Sequence, residues 1–263
     1  MPAAVAVVLS GCGSSLIGSA TTTTSTASSG SVAGTALPTD GEVAVAFPVI
    51  TCTTSAGTPL GSTGWRPGFL LAPIPTALVG KVEFYSDGVH TVLGPVGWAC
   101  AQTAAAPGNV GASGLVVYPA DTTAPAVASV PAPGTQGVFA IFDSTGHIQG
   151  IDLVCPFFAV PRFQSEEAHC AASKPVGEQS SMPTPDVAAV TDPAGTSGSL
   201  LGSGGAQPVT GVVLFPQVQP AVTYGSSVDI AVESCSLTDT ALCPTILSDF
   251  EVREFPVPAG LAR

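Results

Sequence analysis

Two Asp–His pairs hold the residue types that could do chemistry: Asp87 with His90 in "SDGVH", and Asp143 with His147 in "DSTGH". A carboxylate that orients an imidazole is the base half of nucleophilic hydrolysis, and a serine hydroxyl in reach would complete it. Both pairs straddle turns, where Asp, Ser and Gly are favoured for backbone reasons alone. "GASGL" and "GTSGSLLGSGG" approach the G-x-S-x-G nucleophile elbow without matching it, and no S-x-x-K precedes a helix. The sequence therefore names no catalytic residue. "SEEAHC" (Ser165 to Cys170) gathers two Glu, a His and a Cys, yet no CxxC or HxxxH spacing occurs, so an exposed polar helix beside a disulfide is expected and no metal. "GSGG" lacks the lysine and the strand–helix setting of a phosphate loop, and no cofactor is expected. Trp65 and Arg66, adjacent in a Gly/Pro-rich loop, can stack on a sugar or peptide and are the candidate ligand-binding residues. Trp98, two positions before Cys100, is expected to pack on a disulfide.

The elements that would position these groups read as short strands. The 263 residues include 30 Gly and 25 Pro, and 45% are hydrophobic, much of that Ala and Val. In "KVEFYSDGVHTVLGP", Asp87-Gly88 between alternating runs marks a hairpin; a two-residue turn there would pair Phe84 with Thr91 and Val82 with Leu93. "GVFAIFDSTGHIQGIDLVC" reads as a second hairpin turning at Ser144 to Gly146. "GEVAVAFPVI", "GLVVYP", "GVVLFP", "SVDIAVESC" and "FEVREFPV" are further strands. Gly114–Pro119 and Gly211–Pro216 share a G-x-V-x-aromatic-P pattern, which a duplication or convergence would produce. Helix is expected over Phe163–Ser173, with one turn at Pro185–Val190. Lys174–Pro208, rich in Pro, Gly and Ser, reads as a long excursion. The expected architecture is mainly β, an antiparallel sandwich or barrel-like body clipped by disulfides, with short helices. A larger lobe spans 39–180, and an excursion with a smaller packed lobe spans 181–263.

Six basic residues stand against eighteen acidic ones, a formal charge of −12. Phosphate backbones need clustered Lys and Arg, so nucleic acid is excluded as the main partner. The acids are scattered singly, as on a solvated surface.

Near the start, Pro2–Leu9 is apolar and Leu9-Ser10-Gly11-Cys12 follows. Leu, two small residues and Cys resemble the lipobox of bacterial lipoproteins. That resemblance implies a diacylglycerol on the Cys12 sulfur, cleavage just before it, and residues 1–11 as signal peptide. No Lys or Arg precedes Cys12 and the apolar run is short, so the leader is expected to begin upstream of Met1. Residues 12–38 are rich in Ser, Thr, Gly and Ala, with little that can pack, and are expected to form a disordered linker.

Seven cysteines are present, and assigning Cys12 to lipid leaves six. An even set in an exported chain fits three disulfides, which sequential pairing would make Cys52–Cys100, Cys155–Cys170 and Cys235–Cys243. The cysteine neighbourhoods "GPVGWAC", "GIDLVCPFF" and "VESCSLTDTALCPTILSDFEVRE", with "GLVVYPAD", look like a group of exported actinobacterial proteins. That likeness covers residues 40–255 and implies location rather than chemistry. Together these readings predict a protein held by its lipid on the outer face of the cytoplasmic membrane. Its extracytoplasmic domain would be a non-catalytic binding or structural one, with a wall component, small ligand or envelope protein as partner. The alternative is an envelope hydrolase with an unfamiliar site.

Overall fold

Short runs of Val, Ile, Phe and Thr, closed off by Gly, Pro or Asp, form twelve strands and one α-helix among the described residues. This computed structural model describes residues 41–54, 68–104, 112–124, 136–143, 154–158, 174–196, 201, 206–216 and 230–254. Cys12 and its flanking segments 1–11 and 12–38, Trp65, Arg66, Ser144–Gly146, His147, Phe163–Ser173 and Cys170 lie outside these residues. The first sheet contains β1 (Glu42–Thr51), β3 (Phe69–Pro75), β4 (Val82–Ser86) and β5 (Thr91–Pro95), in the order β3-β1-β4-β5. The second has eight strands in the order β2-β6-β7-β8-β12-β11-β10-β9. Here β2 is Thr53–Thr54, β6 Ala99–Ala104, β7 Ala112–Tyr118 and β8 Gly137–Asp143. The remaining strands are β9 (Gln179–Thr184), β10 (Val187–Asp192), β11 (Val209–Leu214) and β12 (Ile230–Ser236). Helix α1 spans Cys243–Glu254.

The body is thus mainly β and sandwich-like, and both sheets stay open. Most pairings are antiparallel; β1–β4 and β2–β6 are parallel. One core lies between the first sheet, α1 and the inner face of the second sheet, with Phe47, Ile74, Phe84, Leu115, Phe142 and Phe250 among its members. A second core covers the opposite face through Val116, Phe139, Ile141, Phe158 and Phe215. Cover on both faces explains why every residue of β12 is buried. Each fully buried Val, Ile or Phe of these two cores contributes about 1.5–3 kcal/mol.

The strands expected from "GEVAVAFPVI", "GLVVYP", "GVVLFP" and "SVDIAVESC" all form. Other expectations are corrected. The β4–β5 hairpin forms, but Phe84 pairs with Leu93 and Val82 with Pro95, because the turn takes all of Asp87–His90. Asp87 closes that longer turn: its Oδ1 accepts the N–H groups of Val89 at 2.8 Å and His90 at 2.7 Å. Gly88 supplies the positive φ, +93°, that the bend requires. The second expected hairpin cannot form along β8, whose two edges are filled by β7 and β12. "FEVREFPV" is not a strand: Phe250–Glu254 is the last part of α1, where Ile246, Leu247 and Phe250 face the core. Val187–Val190 is strand rather than helical turn, and with β9 it places a hairpin inside the expected excursion.

The second sheet carries an approximate two-fold relation. The meander β6-β7-β8 and the meander β10-β11-β12 meet edge to edge at β8–β12. One row of paired residues runs Ala101–Val116–Phe139–Ser234–Gly211–Val190. A neighbouring row runs Ala188–Val213–Val232–Ile141–Gly114–Thr103, the same strand order reversed. Gly114 and Gly211, which open the repeated sequence pattern, therefore hold equivalent places. The axis passes between Ala140 and Glu233, which pair with each other. Close approach requires the glycine at 211: a Cβ there would lie 2.8 Å from the Glu233 carbonyl oxygen and from Leu201.

Candidate functional site

The ionisable side chains that come together do so where α1 crosses between the sheets. The β4–β5 turn contributes Asp87 and His90, whose Oδ2 and Nδ1 are 3.3 Å apart. Gln102 on β6 donates its Nε2 to the same carboxylate oxygen at 3.3 Å. Burial pushes the Asp87 carboxyl up, but the His90 side chain and the two backbone N–H donors outweigh it and hold the group below its ordinary value. The His90 ring stacks flat on Phe142, with centroids 3.8 Å apart, and Phe142 in turn meets Phe250 of α1.

The helix supplies the other half. Arg253 grips Asp249 one turn earlier with Nε and a terminal nitrogen, at 2.7 and 3.0 Å. Its guanidinium lies 4.1 Å above the centre of the Phe84 ring and donates to the Leu71 carbonyl at 3.4 Å. One side chain thus ties α1 to β4 and β3. Burial still raises the Asp249 carboxyl, with Arg253 opposing. Glu254 is raised by burial, opposed by the charges of His90 and Arg253.

Glu233 completes the cluster from β12. Its residue exposure is 0%, and among the described residues neither carboxylate oxygen has a hydrogen-bond partner. Desolvation, then the charges of Asp249 and Glu254, push its carboxyl well up, and Arg253 only partly opposes. Burial of this kind favours the neutral acid over the carboxylate, since an unpaired buried charge is far costlier than a neutral acid. Beside the cluster, a groove of about 200 Å³ is lined by Glu42, Pro73, Pro244, Ser248, Asp249 and Val252, below the usual size of small-molecule pockets.

The structure therefore brings Asp87 and His90 together as a pair. Ser86 is near, but its hydroxyl donates to the His90 carbonyl at 2.7 Å and accepts from Gly88 N–H at 3.0 Å. Among the described residues, no serine hydroxyl or free thiol bonds the His90 ring. Of the second pair, Asp143 lies at the end of β8 and His147 lies outside the described residues. The same holds for Trp65 and Arg66. Trp98 packs half-buried on the core that contains Cys52 and Cys100, its backbone N–H donating to the Tyr85 hydroxyl at 3.1 Å. Cys52–Cys100 and Cys235–Cys243 are bonded as spacing predicts, and Cys155 is also a half-cystine. Among the described residues no three His, Cys, Asp or Glu converge on a metal-sized point.

A second, smaller carboxyl pair sits at the other end of the sheet. Burial first, then Asp192, raises Glu178 to about 7, while Lys174, 3.9 Å away, opposes. Sequence reasoning singled out neither this pair nor Glu233, Asp249, Arg253 and Glu254. The readable signals were a lone Glu inside the apolar run "IAVESC" and the i, i+4 spacing of Asp249 and Arg253. Comparison with protein-family models, with curated proteins and with solved structures gives no match.

Proposed function

We propose that this chain is a lipid-anchored protein of the bacterial envelope, whose extracytoplasmic body is a non-catalytic binding or structural module. The observation that carries the reading is the oxidised cysteine set. Cys52–Cys100 ties the two sheets together at β6, and Cys235–Cys243 fastens α1 to β12. Disulfides that join core elements belong to oxidising compartments, and Cys12 in its lipobox-like setting is the attachment point. The ionisable cluster fits a module of this kind, since its groups are spent on each other: Asp87 on His90, Asp249 on Arg253. Mass spectrometry of the membrane-extracted protein tests the anchor. A diacylglycerol-bearing Cys12 at a new N-terminus is the expected result; an unmodified Cys12 in a soluble chain with titratable thiols overturns it. For the module, a thermal-shift screen against wall fragments and envelope ligands should find a stabiliser, with about 2.7 kcal/mol gained at a hundredfold excess over Kd.

A second reading, an envelope hydrolase, draws on the contact between Asp87 and His90. Release of fragments from a wall polymer by the pure protein, abolished in His90→Ala, would favour it over the first.

A further inference from the structure

We propose that the outer face of the β1–β3 ribbon rests on the lipid bilayer that, on the reading above, holds Cys12. Strand residues alternate in direction, and in this ribbon Phe47, Ala72 and Ile74 point into the core. The opposite face is built from the cross-strand pairs Ala44–Pro73, Ala46–Leu71 and Pro48–Phe69. None of these six side chains carries a charge or a hydrogen-bonding group. Phe69 is 68% exposed and Leu71 47%; Ala44, Ala46 and Pro48 are exposed as well, and Pro73 is half-buried. A strand pair that is apolar on both faces is unusual at a water-facing surface, where alternation with polar residues is the rule.

Size and position choose the occupant. Seven paired residues on two strands give a face roughly 23 Å by 10 Å, on the order of 200–300 Å². A stable dimer needs about 800 Å² from each partner, so a second copy is poorly served by so small a patch. A patch of this size is enough for a body that a covalent link already keeps beside its target. Only about thirty residues separate Cys12 from the first residue of β1, a span that cannot exceed roughly 110 Å even fully extended. Strand addition at the ribbon's edge is also hindered, because β3 is an edge strand containing Pro73 and Pro75, which have no N–H to offer. What remains is an exposed apolar face suited to lie at the boundary of headgroups and acyl chains.

The test uses the full chain coupled through Cys12 to a maleimide lipid in phosphatidylcholine vesicles, so that it does not depend on natural lipidation. Hydrogen exchange is followed by mass spectrometry with and without vesicles. Exchange over residues 44–48 and 69–73 should slow at least fivefold on the vesicles, with β12 and α1 unchanged. Phe69→Asp and Leu71→Asp should abolish that protection while β12 and α1 keep theirs, which shows that the variants fold. Equal exchange with and without vesicles overturns the inference. Protection that grows with protein concentration in the absence of lipid also overturns it, by identifying a second copy as the occupant. Should natural Cys12 prove unmodified while the coupled chain shows ribbon protection, the anchoring reading fails and the ribbon's affinity for lipid stands.

Discussion

Replacing Arg253 with Met keeps the aliphatic stem and removes the guanidinium, which isolates the lock between α1 and the sheets. Three contacts vanish: the double bond to Asp249 at 2.7 and 3.0 Å, the cover on Phe84 at 4.1 Å, and the bond to the Leu71 carbonyl at 3.4 Å. The Asp249 side chain is only 7% exposed, so water cannot replace its lost cation. Removing one member of a buried ion pair costs about 3–5 kcal/mol, and the cation–π contact about 0.5–2 kcal/mol. These losses are not additive, because Asp249 can escape part of its penalty by taking up a proton. The expected loss is about 3–4 kcal/mol at pH 8, a large share of a stability on the order of 5–15 kcal/mol. It should shrink at pH 5, where protonating Asp249 is cheap. Urea unfolding followed by circular dichroism at both pH values measures it, with Asp249→Asn and the double variant completing a cycle. The double variant should recover at least half of the single-variant loss. A loss below 1 kcal/mol for Arg253→Met at pH 8, or a double variant equal to the sum of the singles, would refute the lock.

Three further outcomes follow from the same geometry. Glu233 has a folded value raised above the ordinary 4.5, so its favourable contribution is complete below that value and is lost as pH rises through the raised one; Glu233→Gln should flatten the fall in urea midpoint as pH rises above 4.5, and an unaltered slope would count against a raised carboxyl there. Glu178 follows the same sign, with stability lost as pH rises through about 7. Linkage at 1.36 kcal/mol per unit, reduced for the half-solvated Lys174 side, gives about 1–2 kcal/mol, read as a smaller pH 5 to pH 8 difference in Glu178→Gln. Removing Cys52–Cys100, with a sequence separation of 48, should lower stability by about 4 kcal/mol, and removing Cys235–Cys243, with a separation of 8, by about 2.5 kcal/mol. Paired Cys→Ala variants compared by denaturant unfolding would show the reverse order if loop closure were not the main effect.

What could be read in advance was local. Alternating Val and Ala runs identified β1, β7, β11 and β12, and Asp87-Gly88 identified a hairpin. The register escaped because it depends on which backbone donors the Asp87 carboxylate captures, a choice that composition does not encode. "FEVREF" alternates like a strand, yet the same letters place Asp249 and Arg253 one helical turn apart, and burial of Ile246, Leu247 and Phe250 decides for helix. The hairpin expected after β8 finds no free edge there, because β7 before it and β12, far along the chain, occupy both, and the β12 pairing leaves no short-range mark. The Asp87–His90 contact was legible from spacing. The assembly around Glu233 was not, because it joins a strand, a helix and a turn that only the fold makes neighbours.

Two meanders meeting across Ala140 and Glu233 resemble a homodimer sealed inside one polypeptide. A true dimer of identical subunits would have to repeat every side chain across its symmetry axis, and two facing carboxyls in so dry a place would repel or share a proton. A single chain escapes that obligation. Alanine on one side leaves room for one acid on the other, and the helix that covers it is needed only once.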